Sequence, residues 1–272
     1  QRLLLDFTDQ QLDIKTGSPQ ASLPSAVQRS ATLEGQYTIL DGGSITLQPE
    51  NTAQSVSGAD NRQYTGALKL TADRPAFYYL SDDELKIFEP RQFNQPKTIV
   101  QNTSLGWPAM TDISRDERLD FIYINKEDNI LEARNINGAL LPNFPISPPE
   151  GATFTGTPLV ATTQNSEAPL LLVITQDSLS INIHGYNTNG EPAPGFPLYV
   201  GAVVTTGNQP IHPIMHNKNL YAVSHRGELK AWTIQNIDEV RWNSRYGNHP
   251  YNKVSGNLTI IPDQRPPSEN AL

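Results

Sequence analysis

The chain carries, between residues 121 and 134, the segments Phe121-Ile-Tyr-Ile-Asn125, Lys126-Glu-Asp-Asn129 and Ile130-Leu-Glu-Ala-Arg134 in succession. β-Branched and aromatic residues fill the first segment, and polar turn residues fill the second. Two apolar segments joined by a short polar turn are typical of a β-hairpin. We therefore predict two antiparallel strands here.

The same hairpin pattern occurs six times along the chain. In order, the pairs are Leu3–Phe7 with Leu12–Ile14, Tyr37–Leu40 with Ser44–Leu47, Phe77–Leu80 with Glu84–Phe88, Phe121–Asn125 with Ile130–Arg134, Leu170–Ile174 with Leu179–Ile183, and Leu220–Ser224 with Glu228–Trp232. They recur at intervals of about 40 residues, which is the spacing typical of β-propeller blades.

Two further strands flank several of these hairpins. A short segment with a small residue near its start precedes the later ones, namely Thr65–Leu70, Leu105–Met110, Thr155–Val160 and Ile211–Met215. The pairs Asn137-Gly138 and Asn189-Gly190 follow two hairpins and predict tight turns in which both residues have positive φ, with an outer strand beyond them. The fold class predicted is all-β: a six-bladed β-propeller of four-stranded antiparallel blades.

The first repeat begins at Leu3–Phe7 and lacks the preceding inner strand. The segment Ser255–Asp263 matches that missing strand, with Gly256 in the place of Gly66, Gly106 and Gly156. We predict that Leu258–Ile261 closes the first blade, because an open ring would leave exposed strand edges. Residues 1–263 then form one domain and 264–272 a Pro-rich tail or linker. The alternative is a slice of a larger ring with seven or eight blades.

Composition limits the partners and the compartment. The formal net charge of −8 disfavours nucleic acid as a partner, since phosphate neutralisation supplies most of that affinity. The longest apolar segments are far shorter than the roughly 20 residues of a membrane-spanning helix. The chain has no cysteine, and it starts at Gln1 rather than Met. We take an upstream signal segment to be missing and expect an exported protein.

Several segments resemble bacterial secreted propellers with FG-GAP or VCBS-like repeats, and more distantly quinoprotein-like propellers. The resemblance lies in Asp112–Asp120 leading into Phe121–Ile124, in Asn137-Gly138 with Pro142–Pro145, and in Leu220–Val223 followed by Gly227–Trp232. It implies an extracellular or periplasmic domain, usually without catalytic activity, that mediates adhesion or assembly in Gram-negative surface proteins.

One loop has the spacing of a calcium site. Asp112, Ser114, Asp116 and Asp120 offer oxygen ligands at alternate positions, as a hard cation requires. Glu117 occupies the position at which such a loop normally has glycine for its sharp turn. A solvated loop without metal is therefore the alternative. Calcium is the one cofactor that the sequence suggests.

Two other groups of residues are candidates for a site. His212, His216, His225 and His249 all fall in the last repeat, and zinc would need such a cluster; the alternative, which the sequence favours, is incidental surface and core histidines. Trp242, Arg245, Tyr246, His249 and Tyr251 have the aromatic and guanidinium composition of a protein contact surface. The alternative is that they pack the outer strand of the sixth blade.

The sequence holds no local catalytic motif, so we predict that the chain is not an enzyme. The function predicted is a structural or interaction scaffold of an exported or cell-envelope assembly, with a protein as partner. The first alternative is a propeller enzyme acting on glycans as a lyase or hydrolase, which would need acidic and basic groups from several blades to converge. The second is a glycan-binding, lectin-like module.

Overall fold

The structure, a computed structural model of the chain, describes residues 4–5, 10–12, 19–22, 29–33, 36–41, 44–48, 51–56, 64–71, 74–164, 166–204 and 210–243. The regular elements among these residues are 22 β-strands and one short 3-10 helix at Pro90–Gln92. Within these ranges no helix is long and apolar enough to cross a bilayer.

The first three sheets follow one another along the chain. Sheet 1 contains β1 (Leu4–Leu5), β2 (Gln10–Leu12) and β3 (Pro19–Ser22); sheet 2 contains β4 (Arg29–Leu33), β5 (Gln36–Asp41), β6 (Ser44–Gln48) and β7 (Thr52–Ser55); sheet 3 contains β8 (Tyr64–Thr71), β9 (Arg74–Leu80), β10 (Glu84–Phe88) and β11 (Lys97–Gln101). In each of them every strand pairs antiparallel with the strand before it in the chain.

The other three sheets continue the same order, with one exception. Sheet 4 contains β12 (Ala109–Thr111), β13 (Asp120–Asn125) and β14 (Ile130–Asn135); sheet 5 contains β15 (Thr153–Thr163), β16 (Ser166–Gln176), β17 (Ser180–Asn187) and β18 (Leu198–Ala202); sheet 6 contains β19 (Ile214–His216), β20 (Asn219–Val223) and β21 (Leu229–Thr233). The last strand, β22 (Ile237–Trp242), pairs with β15 of sheet 5 and not with its neighbour β21.

This succession of antiparallel sheets confirms the all-β prediction and fits a β-propeller. Each of the six predicted hairpins is an antiparallel pair, and in the first the described part pairs Leu4 with Leu12. The predicted preceding strands are present as β8, β12, β15 and β19, although β12 and β19 are only three residues long.

Polar side chains close the turns between hairpin strands. The Asn125 Oδ1 accepts the N–H of Glu127 at 3.1 Å, and the Asp177 Oδ1 accepts that of Ser180 at 2.6 Å. In sheet 6 the Ser224 Oγ has the same role, 3.3 Å from the backbone nitrogen of Arg226. Short polar side chains that accept from the backbone two or three residues later are what turns of this kind require.

A second loop type recurs after β14 and β17. The Asn135 Oδ1 accepts the N–H groups of Asn137 at 2.9 Å and Ala139 at 3.1 Å, and Asn187 makes the two matching bonds in the next repeat, both at 3.0 Å. Only the glycine of each Asn-Gly pair has positive φ, 78° at Gly138 and 82° at Gly190. The prediction of a turn with two positive φ values is therefore wrong, because the side chains of Asn135 and Asn187 hold a wider loop.

Three clusters of buried apolar side chains join the sheets in chain order. Ile45 and Leu47 of sheet 2 pack with Phe77 and Tyr79 on one face of sheet 3. The second cluster joins the other face of sheet 3 to sheet 4 and to one face of sheet 5, and the third joins the opposite face of sheet 5 to sheet 6. First strands of neighbouring sheets also meet, as β4 meets β8 and β12 meets β15. Sheets 3 and 5 are thus covered on both faces.

Two of the sequence predictions fall outside the described residues. The closing strand Leu258–Ile261 and the boundary between residues 1–263 and the tail 264–272 both lie beyond residue 243, where the described part ends. Sheet 1 ends at β1, whose second edge pairs with no described strand. That edge is where the prediction places the closing strand.

Candidate functional site

Strand β22 lies along the inner edge of sheet 5, where β15 is the first strand of the repeat. Trp242 stands opposite Val160, and Ile237 stands opposite Thr163. The Gln164 N–H donates to the Asn236 carbonyl at 2.8 Å, which anchors the start of the strand. β22 therefore adds a fifth strand to sheet 5, next to β15.

The same strand also touches sheets 4 and 6. The Nη1 of Arg241 donates to the carbonyl oxygen of Asp112 at 3.4 Å, and Asp112 begins the loop that follows β12. The Met215 N–H, on β19, donates to the Asn243 carbonyl at 2.9 Å. Trp242 is 3% exposed and belongs to the cluster shared by sheets 3, 4 and 5. The segment Ile237–Asn243 thus contacts sheets 4, 5 and 6.

These contacts place only one member of the predicted protein contact surface. The Trp242 side chain is covered by the protein itself, so it packs the inner edge of sheet 5 and not an outer strand of the sixth repeat. The other members, Arg245, Tyr246, His249 and Tyr251, lie outside the described residues.

The predicted calcium loop is held by its own hydrogen bonds. Asp112 accepts the N–H of Arg115 at 2.6 Å with Oδ1 and that of Glu117 at 3.1 Å with Oδ2. Asp116 accepts from the Arg118 N–H at 3.0 Å and from the Ser114 hydroxyl at 3.2 Å. Arg115 and Glu117 both have positive φ, 66° and 63°, in a loop where glycine would be expected.

Asp120, at the end of this loop, is fully buried. Its Oδ2 accepts the N–H groups of Ile113 and Ser114, each at 2.9 Å, whereas its Oδ1 has no hydrogen-bond partner among the described residues. Burial raises the pKa of the Asp120 carboxyl; the two backbone N–H groups act in the opposite direction, and the nearby Asp112 charge adds to the rise. Within the described ranges no three acidic or histidine side chains gather as metal ligands, so calcium stays a prediction.

The described histidines of the last repeat lie on different elements. His216 is exposed at the end of β19, while His212 precedes that strand and His225 sits in the turn after β20. His249 lies outside the described part. No metal cluster forms among those that are described.

A buried polar network in sheet 4 was not expected from the sequence. The Tyr123 hydroxyl donates to Glu132 Oε2 at 2.6 Å, and Arg134 binds the same carboxylate at 2.8 Å. The Asn125 side-chain amide donates to Glu132 Oε1 at 3.1 Å. Burial acts to raise the pKa of Glu132, but the hydrogen bonds from Tyr123, Asn125 and Arg134 outweigh it and the pKa is lowered. The alternation of Tyr123 and Asn125 on one strand face is the signal that could have revealed it.

A pocket of about 310 Å³ opens between sheets 4 and 5. Ser114, Arg115, Asn143 and Asn189 give it polar groups, and its apolar wall comes from Ile113, Leu141, Phe144 and Pro169. Its volume is at the lower end of the range for small-ligand pockets. The residues come from the Asp112–Asp120 loop and from both copies of the asparagine-held loop, so only the packing of two repeats creates it.

Comparison with known proteins finds similarity of structure alone. No family model matches the chain, and no curated protein matches its sequence. Among solved structures it is similar to BBS1N, solved in complex with ARL6DN, at 13% identity and a TM-score of 0.49, covering 88% of this chain and 74% of that one. It is also similar to streptogramin B lyase, at 9% identity and a TM-score of 0.41, covering 79% and 71% of the two chains. A protein from Lactobacillus plantarum gives 14% identity and a TM-score of 0.40, covering 84% and 77%.

Proposed function

We propose that this chain is a non-catalytic scaffold or interaction domain of an exported or cell-envelope assembly. The observation that carries the proposal is strand β22, which covers the inner edge of sheet 5 and reaches the loop after β12 through Arg241. A propeller enzyme would place its reacting groups where the inner strands meet. Strand β22 pairs with β15 and contacts β12, and its Trp242 is buried, which supports a non-catalytic role.

The proposal takes the six sheets as six blades of one closed ring. Sheet 6 supports this, because one of its faces packs on sheet 5 while the other leaves Val223 and Ile214 each 52% exposed. In a ring, sheet 1 would follow sheet 6 and cover that face. The closing strand Leu258–Ile261 would then pair with the open edge of β1, and residues 1–263 would form one domain.

The cellular assignment rests on the resemblance to secreted propellers. The segments that carry it include Leu220–Val223, which is β20 without its first residue, and Gly227–Trp232, which enters β21. The absence of cysteine is compatible with any compartment. We infer export, with a protein partner in the envelope or outside the cell.

Purification of the chain from its native source tests this function. We expect a partner protein at a fixed stoichiometry, and no conversion of glycan substrates by the purified assembly. Turnover of a glycan with release of unsaturated or reducing ends would contradict the proposal and favour the lyase or hydrolase alternative. A chain that purifies alone, without a partner or turnover, would also count against it.

The pocket between sheets 4 and 5 favours one second candidate, a glycan-binding module. Amide groups of Asn143 and Asn189 and the Ser114 hydroxyl supply both donors and acceptors, as sugar hydroxyls require, and Phe144 forms an apolar wall. Binding on a glycan array that Asn189→Ala weakens, while the same change at the exposed Asn217 does not, would support this candidate. Equal binding by both variants would rule the pocket out.

A further inference from the structure

A cavity of about 470 Å³ lies between the first hairpin of sheet 6 and strand β22. Residues 215–218, at the end of β19 and the turn into β20, form one wall, and residues 237–240 with Asn243 form the other. Its volume is within the range of small-ligand pockets. Among the described candidates from the sequence only His216 borders it, so no sequence pattern predicted this cavity.

Backbone hydrogen bonds join the two walls at the ends of the cavity. The Met215 N–H donates to the Asn243 carbonyl at 2.9 Å at one end, and the Ile234 N–H donates to the Lys218 carbonyl at 2.8 Å at the other. Between these bonds no backbone pair of the described residues connects the hairpin to β22, and this gap is the cavity. The opposite edge of β22 pairs with four residues of β15, which fixes this wall at a length of about 10 Å.

The buried side of the cavity is apolar. Met215 is fully buried and Ile237 is 2% exposed, and both belong to the cluster shared by sheets 5 and 6. Val240 is half-buried and packs against the same cluster. Since the core holds these side chains in place, they form a fixed surface on which the methylene groups of a ligand can pack.

Two opposite charges border the cavity at the end marked by Ile234. Lys218 stands on the hairpin wall, and Asp238 follows Ile237 on the β22 wall. Both residues are exposed, and within the described ranges neither side chain forms an ion pair or a hydrogen bond. A lysine and an aspartate that share a cavity without pairing leave an ammonium donor and a carboxylate acceptor available to one ligand.

The opposite end of the cavity holds a buried acceptor. The Oδ1 of Asn243 is buried and has no hydrogen-bond partner among the described residues. Burial of an unsatisfied amide oxygen costs free energy, which a ligand N–H or O–H at this position recovers. The acceptor and the two charges lie at opposite ends of one cavity, so a matching ligand carries polar groups at both of its ends.

We propose that this cavity binds a free α-amino acid whose long side chain ends in a hydrogen-bond donor, as that of lysine does. The α-carboxylate of the ligand pairs with Lys218, and its α-ammonium group pairs with Asp238. Its methylene groups pack on Met215 and Ile237, and the donor at the end of its side chain bonds the Asn243 Oδ1. Charge-assisted hydrogen bonds of the two α-groups supply most of the affinity, and the terminal donor supplies the selectivity.

The test is isothermal titration calorimetry of the full chain with L-lysine and three analogues. We expect saturable binding of lysine. Norleucine, which is lysine without its terminal amine, should bind about tenfold more weakly, because the Asn243 acceptor stays unsatisfied. Lysinamide lacks the α-carboxylate and Nα-acetyl-lysine lacks the α-ammonium charge, so each should lose about tenfold or more. No saturable binding at millimolar lysine, or equal binding of all four compounds, would overturn the proposal.

Two variants separate the roles of the charges. Lys218→Met and Asp238→Asn keep the size of each side chain, and each should weaken lysine binding by about tenfold or more. Lysinamide has no carboxylate to pair with Lys218, so Lys218→Met should leave lysinamide binding unchanged while Asp238→Asn weakens it further. Lys230→Met is the matched control, because Lys230 lies on the same sheet outside the cavity. Lysine binding that survives Lys218→Met, or falls equally in Lys230→Met, would refute the site.

The inference goes beyond the scaffold function and does not depend on it. Lysine binding by a chain that purifies without a partner protein would leave the cavity proposal standing and count against the scaffold function. A partner at fixed stoichiometry, together with no binding of any of the four compounds, would do the reverse.

Discussion

Asn135 and Asn187 determine local structure more strongly than the Asn-Gly pairs that follow them. Each side chain accepts two backbone N–H groups, and each loop then returns through a Phe-Pro pair, at Phe144 and at Phe196. The Phe196 ring lies against Gly185 of β17, and Phe144 is buried in the cluster shared by sheets 3, 4 and 5. A residue in contact with such a ring is therefore limited in size, which a substitution can test.

Gly185 is such a residue, because it lies against the Phe196 ring. A Cβ there would lie 2.6 to 2.8 Å from three ring carbons of Phe196, closer than real contacts allow. We expect Gly185→Ala to lower the free energy of unfolding by about 1–3 kcal/mol, because the ring must move out of its site. Urea denaturation measures the effect. Gly195→Ala tests backbone strain alone, since Gly195 has φ of 86° and no atom within 4 Å of its Cβ position.

The network around Glu132 should stabilise the fold measurably. Glu132→Ala leaves the buried Tyr123 hydroxyl and the half-buried Arg134 without their shared acceptor, and we expect a loss of about 3 kcal/mol. Glu228→Ala is the control, because its ion pair lies at the surface. The Glu228 Oε2 lies 3.3 Å from the Lys230 Nζ, and the two side chains are 57% and 38% exposed. Its effect should be below about 0.5 kcal/mol. Similar losses for the two variants in urea denaturation would contradict the assignment.

The same carboxylate predicts a pH dependence. Its pKa is lowered in the folded state, so its contribution to stability is complete above the ordinary pKa and is lost as the pH falls through the lowered one. Below about pH 4 the unmodified chain should therefore lose more stability than Glu132→Gln does. Parallel slopes for the two proteins between neutral and acid pH would show that Glu132 is not the group responsible.

At the scale of elements, the Asp112–Asp120 loop can be tested as a calcium site against the alternative of a loop without metal. Asp112 and Asp116 already accept backbone N–H groups, so we expect Asp112→Ala to lower the melting temperature by several degrees in calcium and in chelator alike. Differential scanning calorimetry provides the comparison. A calcium-dependent rise in the melting temperature that Asp112→Ala abolishes would instead establish the metal site.

The sequence predicted the strands well and their partners less well. Alternating apolar residues and polar turns locate hairpins such as β13 with β14, because both strands and the turn are contiguous. Val240-Arg241-Trp242 also alternates, but alternation does not specify which edge a strand joins. The partner is decided by the packing of Trp242 against sheets 3 and 4, a contact between distant segments that no local pattern records. The pocket at Asn143 and Asn189 was missed for the same reason.

For the molecule as a whole, ring closure is the property that remains to be measured. The chain has no cysteine, so a single engineered pair can report a contact without competing thiols. We expect Leu4→Cys to form a disulfide with cysteine at one of the positions from Leu258 to Ile261, since paired strands bring Cα atoms to about 5.5 Å. Leu4→Cys with Leu179→Cys is the control pair. No disulfide at any of the four positions would contradict the closure and favour an open slice of a larger ring.

The pairing of β15 with β22 also bears on biosynthesis. Val160 leaves the ribosome well before Trp242 does, so sheet 5 lacks one of its strands until nearly all of the described chain has been made. Until then the edge of β15 is open to strands from other nascent copies. Truncated chains that end before Ile237 should consequently aggregate during expression even though sheets 2 to 4 are intact.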